Sequence, residues 1–220
     1  MSLDSERPLI AVLDYGIGNL RSAQKSLERV GADARLTSDS DLIADAAAVV
    51  LPGVGAFGRV VEAIHEAGLV DAAISSAASG RPFLGICVGM QAMYETSDES
   101  PKTKGLGIIP GRIRLLPDSV KRPQMQWNQL EIRAESDLLK GLSGSWMYFV
   151  HSYAVESCGG ELPVDCVATC EYGGPTVAVI QRENVFATQF HPEKSGHSGL
   201  SLLANFVDLA RASAIEKVLA

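Results

Sequence analysis

Apolar residues in the first half of the chain come in short unbroken runs, separated by stretches in which they recur every three or four positions. Pro8-Leu9-Ile10-Ala11-Val12-Leu13, Ala46 to Leu51 and Pro82-Phe83-Leu84-Gly85-Ile86 are runs of the kind that strands buried on both faces require. Ala34-Arg35-Leu36-Thr37 is a shorter strand candidate. Asn19 to Val30 places Leu20, Leu27 and Val30 among charges, as an amphipathic helix stopped by Gly31. A Gly-rich loop at 52–58 leads into helical segments from about Arg59 to Ser79, and Val88 to Tyr94 is again helical. This alternation predicts a parallel sheet with helices on both faces.

Beyond Tyr94 the texture changes. Segments 111–116, 122–132, 147–155, 164–171, 175–181 and 185–190 are short, β-branched or aromatic, and divided by Gly, Pro, Asn and Asp. They predict a strand-rich insertion and a return to the main sheet. A closing helix from about Ser198 to Val218 carries Leu200, Leu203, Val207 and Ala210 on one face. With no repeat, low-complexity tract or linker, the expectation is one α/β domain over residues 8–220, preceded by a flexible polar leader at 1–7.

Composition narrows the function classes. The chain has 220 residues, 46% of them hydrophobic, a formal net charge of −7 and no run of Lys or Arg longer than two. That balance speaks against nucleic acid or an anionic membrane as the main partner. No stretch approaches the ~20 apolar residues of a membrane span. The leader lacks the apolar core of a signal peptide, which implies a cytoplasmic protein. Its four cysteines, Cys87, Cys158, Cys166 and Cys170, are too sparse for a disulfide framework. Cys166-x-x-x-Cys170 has no matching half and no His pair, so no metal is expected.

The densest chemistry is Gly85-Ile86-Cys87-Val88-Gly89, where an apolar run turns directly into a helical pattern. A strand-to-helix corner exposes its central residue, and flanking glycines let neighbouring backbone pack close. A cysteine there sits at a helix N-terminus, which favours thiolate. The pentapeptide alone leaves a nucleophile and a buried small thiol equally open.

Gly53-Val54-Gly55-Ala56-Phe57-Gly58 fits the G-x-G-x-x-G dinucleotide pattern, but it follows the third strand of its unit and lacks the acidic residue expected at the end of the next. A different use suits it. In a parallel sheet this loop and Cys87 share one rim, so the backbone N–H groups of Val54 and Val88 could hold an oxyanion. A turn that needs glycine only for its shape stays open beside that use.

A cysteine nucleophile needs a base. His65 reads as a surface residue in mid-helix, His197 as a solvated residue near the last helix start, and His151 as a hydrogen-bonded structural residue in a strand. His191 ends a strand and begins His191-Pro192-Glu193. In extended chain residues i and i+2 point the same way, which brings Glu193 to the imidazole.

Gly85-Ile86-Cys87-Val88-Gly89-Met90-Gln91 together with His191-Pro192-Glu193 resembles the nucleophile and His–Glu motifs of class I glutamine amidotransferases. Within that family, Asp14-Tyr15-Gly16-Ile17-Gly18-Asn19-Leu20, Pro52-Gly53-Val54-Gly55-Ala56-Phe57, Tyr148-Phe149-Val150-His151-Ser152-Tyr153 and His191-Pro192-Glu193-Lys194-Ser195 are similar to the glutaminase subunits of imidazole glycerol phosphate synthases. The match spans nearly the whole chain from Pro8. Gln124-Met125-Gln126-Trp127-Asn128 departs from a family stretch that usually reads His-Met-Gly-Trp-Asn, with Gln126 in a glycine's place.

The resemblance implies a flavodoxin-like amidotransferase fold and hydrolysis of L-glutamine through a Cys87 thioester, with His191 and Glu193 completing the triad and no cofactor. It implies that Gly53, Gly55 and Gln91 contact the substrate. Asn19, Trp127, Tyr148 and Lys194 would lie at the contact with a (β/α)8-barrel cyclase subunit that receives the ammonia in histidine biosynthesis. A subunit serving anthranilate or pyridoxal phosphate synthesis, a stand-alone γ-glutamyl hydrolase and a catalytically silent binding subunit are the rival readings.

Overall fold

The computed structural model describes residues 7–157 and 161–219. Residues 1–6 of the expected leader, and Cys158, lie outside the described residues. The first half runs β1 (Leu9–Leu13), α1 (Leu20–Arg29), β2 (Asp33–Thr37), α2 (Ser40–Asp45), β3 (Ala48–Gly53), α3 (Phe57–Glu66), α4 (Val70–Ala78), β4 (Phe83–Cys87) and α5 (Val88–Ala92). The second half adds β5 (Tyr94–Ser97), β6 (Ile109–Leu115), β7 (Gln124–Gln129), β8 (Glu131–Ile132), β9 (Trp146–His151), β10 (Tyr153–Val155), β11 (Cys166–Glu171), β12 (Pro175–Arg182), β13 (Val185–Thr188) and α6 (Gly196–Leu219).

Eight strands form the main sheet in the order β2-β1-β3-β4-β13-β12-β11-β8. The first five in that order are parallel, and the last three extend the sheet antiparallel. Ile10–Leu13 and Ala48–Leu51 are wholly buried, as strands covered on both sides must be. The step from β1 to β2 runs in one direction across the sheet, and the steps from β2 to β3 and β3 to β4 run in the other. Right-handed crossovers therefore put α1 on one face and the helices α2, α3 and α4 on the opposite one. α6 packs on α1, and α5 on α3. Among the described residues no helix is long and apolar enough to cross a membrane.

The strand-rich half divides three ways. β8 and β11 to β13 join the main sheet, β10-β6-β5 form a small second sheet, and β7-β9 form a two-stranded ribbon. The segment expected over 147–155 is therefore two strands in different sheets, divided at Ser152. Gln126 sits regularly in the ribbon opposite Phe149 and donates from Nε2 to Asn128 Oδ1 at 2.7 Å, so the departure from glycine leaves the strand intact.

Two boundaries and one whole helix differ from expectation for local reasons. The helix after Cys87 stops at Ala92 because the carbonyls of Ala92 and Met93 are taken by Leu106 N and Ile109 N, which draws Tyr94 into β5. Pro52 and Gly53 belong to β3 rather than to the loop, since they pair with Ile86 and Cys87. The short helix α2 has no expected counterpart; only Ile43 of it is buried, and it rests on Asp39, whose side chain accepts from Asp41 N and Leu42 N.

Candidate active site

The register of the parallel strands gathers their C-terminal ends on one rim. Gly53 lies opposite Cys87, and Thr188 of β13 lies opposite Ile86. The rim adjoins the point where strand order reverses between β1 and β3, where α/β sheets open a crevice.

Cys87 is the corner between β4 and α5. Its φ of 53° and ψ of −111° lie where a side chain is rarely tolerated, at a cost on the order of 1–3 kcal/mol. Close packing holds it there. A Cβ on Gly53 would sit 2.7 Å from the Val88 carbonyl carbon and 2.9 Å from Gly89 Cα, and one on Gly85 would sit 3.0 Å from Met90 Cα. The glycines around the cysteine thus serve close backbone approach, as expected.

His191 caps the turn Pro192–Lys194, a 3-10 turn rather than extended chain. Glu193 reaches back through that turn, so the pairing is right but its cause is not strand alternation. A carboxylate only accepts, so His191 Nδ1–H donates to Glu193 Oε1, at 2.7 Å, with side-chain exposures of 2% and 5%. Burial lowers the His191 pKa, but hydrogen bonds and charge attraction from Cys87 and Glu193 outweigh it and push the pKa up to about 9. That balance favours the imidazolium form of His191. The backbone is laced to β9: His191 N donates to Tyr148 O, Tyr148 N donates to Ser195 Oγ, and that hydroxyl donates to His191 O.

A cavity of about 330 Å³ opens over the sulfur, lined by Val54, Gly55, Cys87, Val88, Gln91 and His191 of the expected residues, with Lys194 at its edge. Val88 is the first residue of α5, where N–H groups have no partner within the helix. Tyr15 ties down the end of β3 by donating its buried hydroxyl to the Pro52 carbonyl; burial, then the Cys87 charge, raise its pKa. Gly53 lies behind the wall against α5 and does not line this cavity. Gln91 donates from Nε2 to Tyr153 O at 2.8 Å and to Gln189 Oε1 at 3.1 Å.

Asn19, Gly53, Val54, His191 and Glu193 border one small gap on the rim. Trp127, 46% exposed, packs on Tyr148 with ring centroids 5.9 Å apart. His65 and His197 are exposed, in keeping with the surface roles expected of them.

Sequence reasoning missed five residues at the site. His151 is hydrogen-bonded as expected, through Nδ1–H to Tyr153 O at 2.9 Å, but it also lines the cavity with a buried Nε2 that has no protein partner among the described residues. Burial, and then the nearby His191, outweigh that hydrogen bond and lower its pKa to about 4. Ser152 and Tyr153 follow it. Glu99 folds in from beyond β5 and accepts from Phe57 N at 2.6 Å, capping α3. Gln189, two residues before His191, donates from Nε2 to Cys87 Sγ at 3.8 Å. Among the described residues no group of three or more His, Cys, Asp or Glu is placed to hold a metal.

A family model described as "Glutamine amidotransferase class-I" matches residues 11–209. The Imidazole glycerol phosphate synthase subunit HisH of Methanothermobacter thermautotrophicus is 46% identical over 204 residues, which is 93% of this chain and 100% of that protein. The subunit of the same name from Deinococcus radiodurans is 46% identical over 202 residues, 90% of this chain and 93% of its own. Among solved structures, a "Crystal structure of glutamine amidotransferase" superposes with a TM-score of 0.72 at 20% identity, covering 91% of this chain and 98% of that one. At that identity the likeness shows the fold alone.

Proposed function

The chain belongs to the class I glutamine amidotransferase family, and from that premise we propose that it is the glutaminase subunit of an imidazole glycerol phosphate synthase. The observation that carries the reading is Cys87 and His191 lining one cavity with Val54 and Val88, with Glu193 hydrogen-bonded to the far nitrogen of His191.

The Cys87 thiolate attacks the side-chain amide carbon of L-glutamine, and the oxygen that becomes negative is held by the N–H groups of Val54 and Val88. His191, protonated through its pairing with the thiolate, gives its proton to the departing ammonia and leaves a γ-glutamyl thioester. It then takes a proton from the water that hydrolyses the thioester to glutamate. Glu193 keeps the proton on Nδ1, so that Nε2 does this work. General acid–base help is worth ~10²–10⁴-fold and an oxyanion donor ~10²–10³-fold.

Ammonia loosed into neutral water is mostly protonated and no longer nucleophilic, so a glutaminase made for synthesis needs a shielded exit to its acceptor. Tyr148 and Val150 project from the same face of β9, and Val150 lines the cavity. Trp127 and Met125 stand opposite them on β7, and with Trp146 they leave a large apolar patch exposed beside the cavity mouth. Such a patch suits a docking partner, a cyclase subunit, better than a free hydrolase. Asn19 and Lys194 would belong to the same contact.

The test is Cys87→Ala in complex with the cyclase. Glutamine-dependent formation of imidazole glycerol phosphate is lost while ammonium-dependent formation persists. Loss of both would make the cysteine structural and end the proposed mechanism.

A further inference from the structure

Gln189 is wholly buried between the end of β13 and His191, and nothing in the chemistry above uses it. Its backbone N–H donates to Ala178 O at 2.9 Å. Its side-chain Oε1 accepts from Gln91 Nε2 at 3.1 Å, while its Nε2 donates to Cys87 Sγ at 3.8 Å. The two ends of an amide are told apart only by the network around them. Here the direction comes from the main chain. The Tyr153 carbonyl can only accept, and it takes a hydrogen from Gln91 Nε2 at 2.8 Å. Gln91 therefore presents a donor to Gln189, Gln189 answers with its oxygen, and its NH2 is left facing the sulfur. Reversed, Gln189 would set donor against donor at Gln91 and aim a carbonyl oxygen at Cys87.

We propose that Gln189 is a second hydrogen-bond donor to the Cys87 nucleophile, beside His191, held in direction by Gln91 and the Tyr153 carbonyl. The proposal rests on the reading of Cys87 as the attacking thiol. A neutral thiol is a weak acceptor and a thiolate a strong one, so the contact strengthens as charge forms on sulfur. It fades again as that charge passes to the substrate oxygen. Being uncharged, the amide supports the thiolate without adding a further titrating group. The ionisable groups around the sulfur are His191 with Glu193 behind it, Tyr15 from the loop after β1, and His151, Tyr153, Glu99 and Lys194 lining the cavity. Gln189→Met leaves all of them in place.

The experiment follows alkylation of Cys87 by iodoacetamide against pH in the full chain, read by mass spectrometry of the Cys87 peptide. Gln189→Met removes the donor at similar length. Gln189→Glu keeps the shape and an oxygen toward Gln91 but turns the donor into an oxygen. The midpoint of the alkylation curve moves up by about one pH unit in Gln189→Met, a tenfold loss of reactive sulfur at any pH well below the wild-type midpoint, and further in Gln189→Glu. In the cyclase complex Gln189→Met lowers kcat for glutamine about tenfold and leaves KM within about twofold. An alkylation curve that coincides with wild type in folded Gln189→Met overturns the proposal while leaving the glutaminase reading in place. A shifted curve in a chain that hydrolyses no glutamine, even with the cyclase, keeps the donor and overturns the glutaminase reading. Should Gln189→Met fail to fold, Gln189→Glu carries the test, and a wild-type curve there overturns the proposal.

Discussion

Replacing Gly89 by alanine tests whether the packing of the corner sets the catalytic geometry. A methyl group there would sit 2.9 Å from the Leu51 carbonyl carbon and 3.0 Å from that of Pro52, and closer still to the Leu51 oxygen, where ordinary contact begins at 3.4 Å. The obstacle is the backbone of β3, paired on both sides by β1 and β4, and no flexible side chain can swing away. Either the end of β3 or the start of α5 must move, by something on the order of 1 Å. Val54 follows the first and Val88 belongs to the second, so the two proposed oxyanion donors separate or tilt. A misplacement of ~1 Å costs roughly 10²-fold in rate, and overpacking of this kind costs about 1–3 kcal/mol. The assay is kcat for glutamine in the cyclase complex beside the thermal midpoint, which falls about 2–4 °C per kcal/mol in a domain of this size. Gly80→Ala is the control. Gly80 has φ +83° and open space around it, so its alanine costs about 1–2 kcal/mol through backbone strain and leaves kcat alone. Gly89→Ala with a wild-type midpoint refutes the packing argument, and Gly89→Ala that is destabilised but fully active refutes the link from packing to catalysis.

His151 makes the fold sensitive to acid. Its pKa is lowered to about 4 in the folded chain, chiefly by burial, against 6.5 unfolded, so the unfolded chain binds the proton first. The contribution is complete above about pH 6.5 and drains away toward pH 4, by up to roughly 3 kcal/mol. Thermal midpoints across that window fall less steeply in His151→Gln; parallel slopes would mean that His151 is not held neutral. Trp127→Ala trims an exposed ring, so the isolated subunit keeps its thermal midpoint while affinity for the cyclase drops by about 2 kcal/mol, roughly thirtyfold. Calorimetric titration with an unchanged Kd would remove Trp127 from the interface.

What could be read from sequence was what one segment decides by itself. The buried runs of β1, β3 and β4 are apolar because both faces are covered, and Gly-x-Cys-x-Gly names its corner because the steric demand lies within five residues. His191 and Glu193 stand two apart, so their pairing was legible even though the turn that achieves it was not. Residues that depend on a fold-back were hidden. Glu99 reaches the site only because the segment after β5 returns to cap α3, and nothing between Ser97 and Pro101 announces it. His151 looked structural because its hydrogen bond to Tyr153 O is local, whereas its open Nε2 is a matter of what β9 faces. Gln189 was invisible for a like reason: its partners, Gln91 and Cys87, lie about a hundred residues away. The length of α5 failed because hydrogen bonds from Leu106 and Ile109, not local propensity, end it.

The left-handed φ of Cys87 also makes this chain a gauge of its own compromise. Glycine is at home at 53°, and any other residue carries the strain whether or not glutamine ever arrives. Cys87→Gly and Cys87→Ala both abolish the thiol, yet only glycine relieves the backbone, so the difference in their unfolding free energies reads the strain once glycine's extra entropy cost of roughly 0.5–1 kcal/mol is added back. A glycine variant more stable than the wild type would mean that natural drift toward stability at this position runs straight toward inactivity. Under the proposed chemistry, the corner holds a residue that stability alone would not keep.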